Sequence, residues 1–187
     1  MTSGFRWLNE PAYWLENETG TFVRTDDRTD FWRKTEYGFI RDNGHFRYLP
    51  VRGDFSAETA FVADYQALYD QAGLMLRLDE TRWIKAGVEL TDGVMQLSVV
   101  VTNDTSDWSM IPLDDVPTNI QVAVRLARAA DTTTIQYRLA QLPWRTARVA
   151  GFPYDEHASV GLMCCSPQRS GFEVQFHAFA LNPVQQG

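Results

Sequence analysis

Residues 82–90, RWIKAGVEL, separate into two lists when alternate letters are taken. Ile84, Ala86, Val88 and Leu90 form one list, and Trp83, Lys85, Gly87 and Glu89 the other. Successive side chains of a β-strand point to opposite faces, so the stretch predicts a strand with one apolar and one mixed face. The same period recurs along the chain. It predicts strands over 20–25, 45–50, 55–64 and 72–79, then 93–102, 119–127 and 132–140, and finally 145–151, 158–166 and 171–181. Turn residues separate them: Asp42-Asn43-Gly44, Asp79-Glu80, Thr91-Asp92-Gly93 and Ser166-Pro167. Asp92-Gly93 is a strong hairpin signal, because both residues tolerate the positive φ of a tight turn.

Two stretches compete with this reading. Tyr65, Leu68, Tyr69 and Ala72 sit at helical spacing and predict a turn of helix before the strand at 72. NIQVAVRLARAA, from Asn119, contains good helix formers. Its Ile120, Val122, Val124 and Leu126 nevertheless alternate strictly, and strand is the better assignment. Many short alternating strands predict an all-β sandwich or barrel. No repeat, low-complexity tract or Pro/Gly-rich linker divides the chain, so residues 1–187 are expected to form one domain.

The faces can then be compared. If Ile84, Ala86, Val88 and Leu90 point inward, the hairpin partner sends Met95, Leu97, Val99 and Val101 inward and Gln96, Ser98, Val100 and Thr102 outward. Leu74, Leu76 and Leu78 point in, with Met75 and Arg77 out. Strand 119–127 leaves Gln121, Ala123 and Arg125 outward, and strand 132–140 leaves Gln136 and Arg138. Side by side these sets make a surface of Arg, Trp, Lys, Glu, Gln, Ser and Thr. Such a surface suits recognition better than idle solvation.

Composition narrows the partners. Hydrophobic residues make up 44% and aromatics 13% of 187 residues, as in a folded chain with a sizeable core. The formal charge of −7, without a local basic cluster, disfavours nucleic acid and anionic membranes. No stretch is long and apolar enough to span a bilayer, and MTSGFRWLNEPAYW shows no secretory signal. The two cysteines, Cys164 and Cys165, are adjacent and predict reduced thiols, at least one of them buried. A cytoplasmic location is expected.

Candidate chemistry centres on the mixed face. Trp83 is either a half-buried strand aromatic capped by Lys85 or a flat platform beside hydrogen-bonding groups, an arrangement suited to sugars. Trp108, in the loop TNDTSDWSMIP, is either a second platform or an aromatic plug at the end of the core. Glycoside hydrolysis needs two carboxyls, about 5–5.5 Å apart for retention or about 6.5–9.5 Å for inversion. Glu89 is the one carboxylate placed on the mixed face, with Asp107 or Glu58 as conceivable partners. His45, His157 and His177 are isolated, and no metal-binding or dinucleotide-binding motif occurs, so neither metal nor cofactor is expected.

The strings DFWRKTEYGFIRDNGHF (30–46), YDQAGLMLRLDETRWIKAGVE (69–89), DWS (107–109), VGLMCCSP (160–167) and GFEVQFHAF (171–179) resemble the regulation-of-enolase, or domain-of-unknown-function 1349, family. The resemblance implies a concanavalin A-like jelly roll of two antiparallel sheets, one concave, and the mixed face would line the concavity. The family supplies no established catalytic residues. Resemblance and face analysis together select Tyr69, Asp70, Gln71, Arg77, Trp83, Lys85, Glu89 and Trp108, with Gln96 and Arg125 added from the faces. Asp70 has an equally good reading as a turn cap, and the role of His45 is open. The expected ligand is small and polar, a carbohydrate or sugar derivative, with Trp83 and Trp108 stacking. The alternatives are a glycosidase or lyase acting through Glu89, and a regulatory protein-interaction module. On the platform reading Trp83→Ala should cost little stability.

Overall fold

The structure, a computed structural model, describes residues 4–183. Its first sheet has seven antiparallel strands, in the order β1 (Arg6–Leu8), β6 (His45–Val51), β15 (Ala158–Cys165), β8 (Gln71–Arg77), β9 (Arg82–Thr91), β10 (Val94–Asn103) and β11 (Thr105–Pro112). The second, also seven-stranded, runs β14 (Arg145–Gly151), β13 (Thr132–Leu139), β12 (Val122–Ala129), β7 (Phe55–Ala63), β16 (Glu173–Pro183), β3 (Gly20–Arg24) and β2 (Tyr13–Asn17). A separate two-stranded hairpin, β4 (Phe31–Arg33) and β5 (Ile40–Asp42), completes the described elements. This is the all-β, concanavalin A-like jelly-roll sandwich.

Alternation builds the core. Leu74, Leu76, Ile84, Ala86, Val88, Leu97 and Val99 of the first sheet meet Val122, Val124, Leu126, Phe61, Val174 and Phe176 of the second, all buried. The β9–β10 turn has the chemistry its sequence specifies: Asp92 and Gly93 take φ 53 and 78.

Residues 105–112, expected within a loop, form β11 and carry Trp108 on a strand opposite Val100. Two further expectations are corrected. No helix forms among the described residues. Tyr69 takes φ 68, and the Asp70 carboxylate accepts the backbone N–H groups of Gln66 and Ala67 at 3.1 and 3.0 Å, which closes a turn where a helix was expected. Second, β12 and β13 lie in the other sheet, so Arg125, Gln136 and Arg138 do not extend the mixed face of β9. Arg125 instead donates to Glu58 at 2.8 and 3.1 Å and stacks 4.0 Å from the Trp144 ring centroid. Alternation tells which residues share a strand face, not which sheet the strand joins.

Candidate functional site

The mixed face of β9 is not open to water. The β4–β5 hairpin lies across it, and a second apolar cluster fills the gap: Phe31, Trp32, Phe46, Met75, Trp83, Val100, Met163 and Cys165. Polar anchors fix the hairpin at both ends. Arg77 donates two hydrogen bonds to the Asp42 carboxylate, at 2.7 and 2.8 Å. Arg33 binds the carbonyl of Asp104 through Nε at 3.0 Å, and its backbone N–H donates to Ser106 Oγ at 3.0 Å. Asn43 ties the approach to the exit, accepting from the Asp30 N–H at 3.0 Å and donating to the Arg28 carbonyl at 3.1 Å.

Beside this cluster the hairpin and sheet leave a cleft of about 220 Å³. Gln71, Lys85 and Glu89 of β8 and β9 form its floor, and Asp30, Trp32, Tyr37, Tyr69 and Trp108 its walls. Gln71 stands opposite Glu89, and Gly73 opposite Gly87, in the β8–β9 register. A Cβ on Gly73 would collide with the Ala86 carbonyl, and one on Gly87 with that of Ala72. This bare glycine pair lets the Lys85 chain cross diagonally, so that Nζ donates to Gln71 Oε1 at 2.7 Å and to the Phe31 carbonyl at 2.7 Å, with Asp30 Oδ1 at 3.5 Å. Lys85, only 3% exposed, is thus satisfied within the protein.

Glu89 is 5% exposed, and its Oε2 accepts the Ser98 hydroxyl at 2.7 Å. Ser98 in turn accepts the Trp108 indole N–H at 2.9 Å. Burial is the largest influence and raises the Glu89 pKa, against the opposing pull of the Lys85 charge and the Ser98 bond. Above the floor four rings make a closed circuit. Centroids of Trp32 and Tyr37 lie 5.7 Å apart, Trp32 and Trp108 5.7 Å, Trp108 and Tyr69 6.2 Å, and Tyr69 and Tyr37 6.5 Å. The Tyr37 and Tyr69 hydroxyls are 2.9 Å apart, and that bond raises the Tyr37 pKa above its ordinary value. Phe39 stacks on Tyr37 at 5.5 Å and 13°, extending the apolar wall outward. The cleft therefore offers ring faces together with a carboxyl, an amide and phenols.

Of the residues selected from sequence, Tyr69, Gln71, Lys85, Glu89 and Trp108 meet in this cleft. Five do not line it. Trp83 is 0% exposed, packed 6.2 Å from Phe31 and beneath the Lys85 ammonium, so it is core and no platform. Arg77 is committed to Asp42. Asp70 is 0% exposed and accepts Ser166 Oγ at 2.8 Å and Arg169 Nη2 at 2.7 Å, the turn-cap reading carried to completion. Gln96 sits across from Glu89 but outside the cleft, and Arg125 belongs to the other sheet. His45 is a structural link: Nδ1 donates to the Asn9 carbonyl at 2.6 Å, and Nε2 accepts the Asp26 N–H at 3.0 Å.

Asp30, Trp32, Tyr37, Phe39 and Arg41 also line the cleft and lie on none of the strand faces compared from sequence. Their segment was among the strings that carry the family resemblance, and its four aromatics within nine residues were the available signal. Among the described residues no group of three or more His, Cys, Asp or Glu is placed to hold a metal ion. No helix of the described residues is long and apolar enough to cross a membrane.

A model of the family described as "Protein of unknown function (DUF1349)" matches residues 7–184. The chain belongs to this family. Regulation of enolase protein 1 of Saccharomyces cerevisiae, a related sequence, is 38% identical over 175 residues, covering 94% of this chain and 87% of that protein. The crystal structure of a functionally unknown protein from the same yeast superposes with a TM-score of 0.92 at 37% identity, over 98% of both chains. A carbohydrate-binding module, CBM66 of Bacillus subtilis, superposes with a TM-score of 0.61 at 14% identity, over 96% of both chains, a likeness of fold alone. DUF1349 membership accounts for the jelly roll and leaves the cleft to be read from its own residues.

Proposed function

We propose that this DUF1349 protein is a cytoplasmic, one-domain binding protein that takes a sugar residue or sugar derivative in the cleft between the first sheet and the β4–β5 hairpin. One observation carries the reading: a cavity of about 220 Å³ in which aromatic rings surround a floor bearing Glu89 and Gln71. Sugars present C–H faces to stack on rings and hydroxyls to bond carboxyl and amide groups, so this mixture matches them on both counts. The jelly-roll likeness to a carbohydrate-binding module agrees with the reading by analogy. The two buried free cysteines agree with a reducing compartment.

Calorimetric titration of the wild type and of Tyr37→Ala with monosaccharides and short glycans tests it. Tyr37 is 40% exposed, so its truncation should spare the fold. Binding in the wild type that is lost in the variant is the expected result; absence of binding by every sugar would overturn the reading.

A second reading has its own observation. Asp30 and Glu89 both line the cleft, and the Glu89 pKa is raised, so a glycosidase or lyase acting through Glu89 with Asp30 as partner is the enzyme alternative. Turnover of a bound glycan that disappears in Glu89→Gln while binding persists would establish it.

A further inference from the structure

We infer that the ligand of this cleft is an acidic sugar, its carboxylate or phosphate held at the mouth by Arg28 and Arg41. The inference rests on the sugar-binding reading and names the ligand class within it.

Most charged groups in and around the cleft are already engaged by the protein. Arg28, Arg41 and Lys85 line the cleft as cations, Asp30 and Glu89 as carboxyls. Lys85 on the floor and Asp30 on the wall answer one another, 3.5 Å apart, with the remaining donors of Nζ taken by Phe31 and Gln71. Glu89 is engaged by Ser98 below the rings. Neighbouring arginines are also committed: Arg33 to Asp104, Arg77 to Asp42 and Arg169 to Asp70.

Arg28 and Arg41 differ from these. Both are exposed. The ion pair of Arg28 is with Asp27 at 3.9 Å, between side chains 78% and 66% exposed, a geometry that contributes little. Arg41 has no carboxylate within 4.0 Å among the described residues; its guanidinium lies 5.4 Å from the Phe39 ring centroid. A guanidinium resting on a ring keeps N–H donors at its edge, the geometry that takes a carboxylate or phosphate bidentately. In a chain of net charge −7 the cleft is lined by three cations, Arg28, Arg41 and Lys85, against two carboxyls, Asp30 and Glu89.

Position supports the same ligand. Arg41 pairs with Trp32 across the hairpin, so the two side chains share a face and Arg41 overhangs the wall that Trp32 forms. Arg28 is tied to the same unit through Asn43. An anionic group at the rim would leave the sugar ring among Trp32, Tyr37 and Trp108, with its hydroxyls toward Glu89 and Gln71.

The test is titration of the full chain with glucose, glucuronate, glucose 6-phosphate and inorganic phosphate, for the wild type and an Arg28→Gln/Arg41→Gln double variant. We expect glucuronate or glucose 6-phosphate to bind roughly tenfold or more tightly than glucose, the order expected for one charge-assisted contact. That ratio should collapse toward one in the double variant and shrink with added salt. The two acidic arms separate a carboxylate site from a phosphate site. Equal affinity for neutral and acidic sugars, an acidic preference that survives in the double variant, or inorganic phosphate binding as tightly as glucose 6-phosphate would overturn the inference. Glucose binding without acidic preference leaves the sugar reading standing, whereas no binding by any sugar removes both.

Discussion

Ser98 holds Glu89 and Trp108 together: its hydroxyl donates to the carboxylate at 2.7 Å and accepts the indole N–H at 2.9 Å. One hydroxyl thus sets both a floor group and a wall group of the cleft. The Glu89 pKa is raised from 4.5, so the folded state binds its proton more tightly than the unfolded state does. The stability this supplies is fully present below pH 4.5 and is lost as pH rises through the folded value. Glu89→Gln should therefore gain stability relative to the wild type as pH rises from 4 to 8, read from urea melts across that range. A difference independent of pH would show that the carboxyl is not perturbed. Ser98→Ala should cost about 1–3 kcal/mol, since it leaves the buried Glu89 carboxyl and the half-buried Trp108 indole N–H without their shared partner.

Trp83→Ala should lose about 3–5 kcal/mol in denaturant unfolding, the range for a fully buried aromatic. A loss below about 1 kcal/mol would restore the exposed platform that the alternating pattern suggested.

The Arg77–Asp42 pair should control the hairpin more than the sandwich. Its side chains are 11% and 32% exposed, and it joins β8 to the end of β5. In Arg77→Met, amide exchange should accelerate across residues 31–42 while the strands of the inter-sheet core keep their protection. Ligand affinity should fall with it. Uniform acceleration across the chain would mean that hairpin and sandwich open together.

His45 gives a second, opposite pH dependence. Burial lowers its pKa from 6.5, against the raising effects of the Asn9 carbonyl and the Asp26 charge. With Nδ1 donating to Asn9, Nε2 must be unprotonated to accept the Asp26 N–H. The unfolded chain takes the proton first, so stability is present above pH 6.5 and declines as pH falls through the folded value. His45→Gln should be less stable at pH 7.5 yet flatter between pH 7 and 5. An equal slope in both proteins would exclude His45 as its source.

Much of the sandwich was legible because apolar alternation reports directly on burial: Ile84, Ala86 and Val88, like Leu97 and Val99, fall where the pattern puts them. The helical spacing over 65–72 carries no information about the Asp70 side chain, which captures the local N–H groups and closes a turn instead. The site was legible only in part, for a specific reason. A polar residue on the second face of a strand faces either water or a lid, and both give the same alternation. Trp83 and Lys85 read equally as packing or as open surface from the alternation, because nothing in β9 announces the hairpin that covers them. The second face of β8 and β9 is buried as thoroughly as the first, which is unusual for an antiparallel sheet.

That second burial has a consequence for how the protein can vary. The sandwich core and the cluster beneath the hairpin lie on opposite faces of one sheet. Segment 28–43 supplies Arg28, Asp30, Trp32, Tyr37, Phe39 and Arg41 to the cleft while contributing nothing to the inter-sheet core. Replacing the residues of this segment that line the cleft, with Phe31, Arg33 and Asp42 retained as fasteners, should therefore change the lining while the inter-sheet core keeps its contacts.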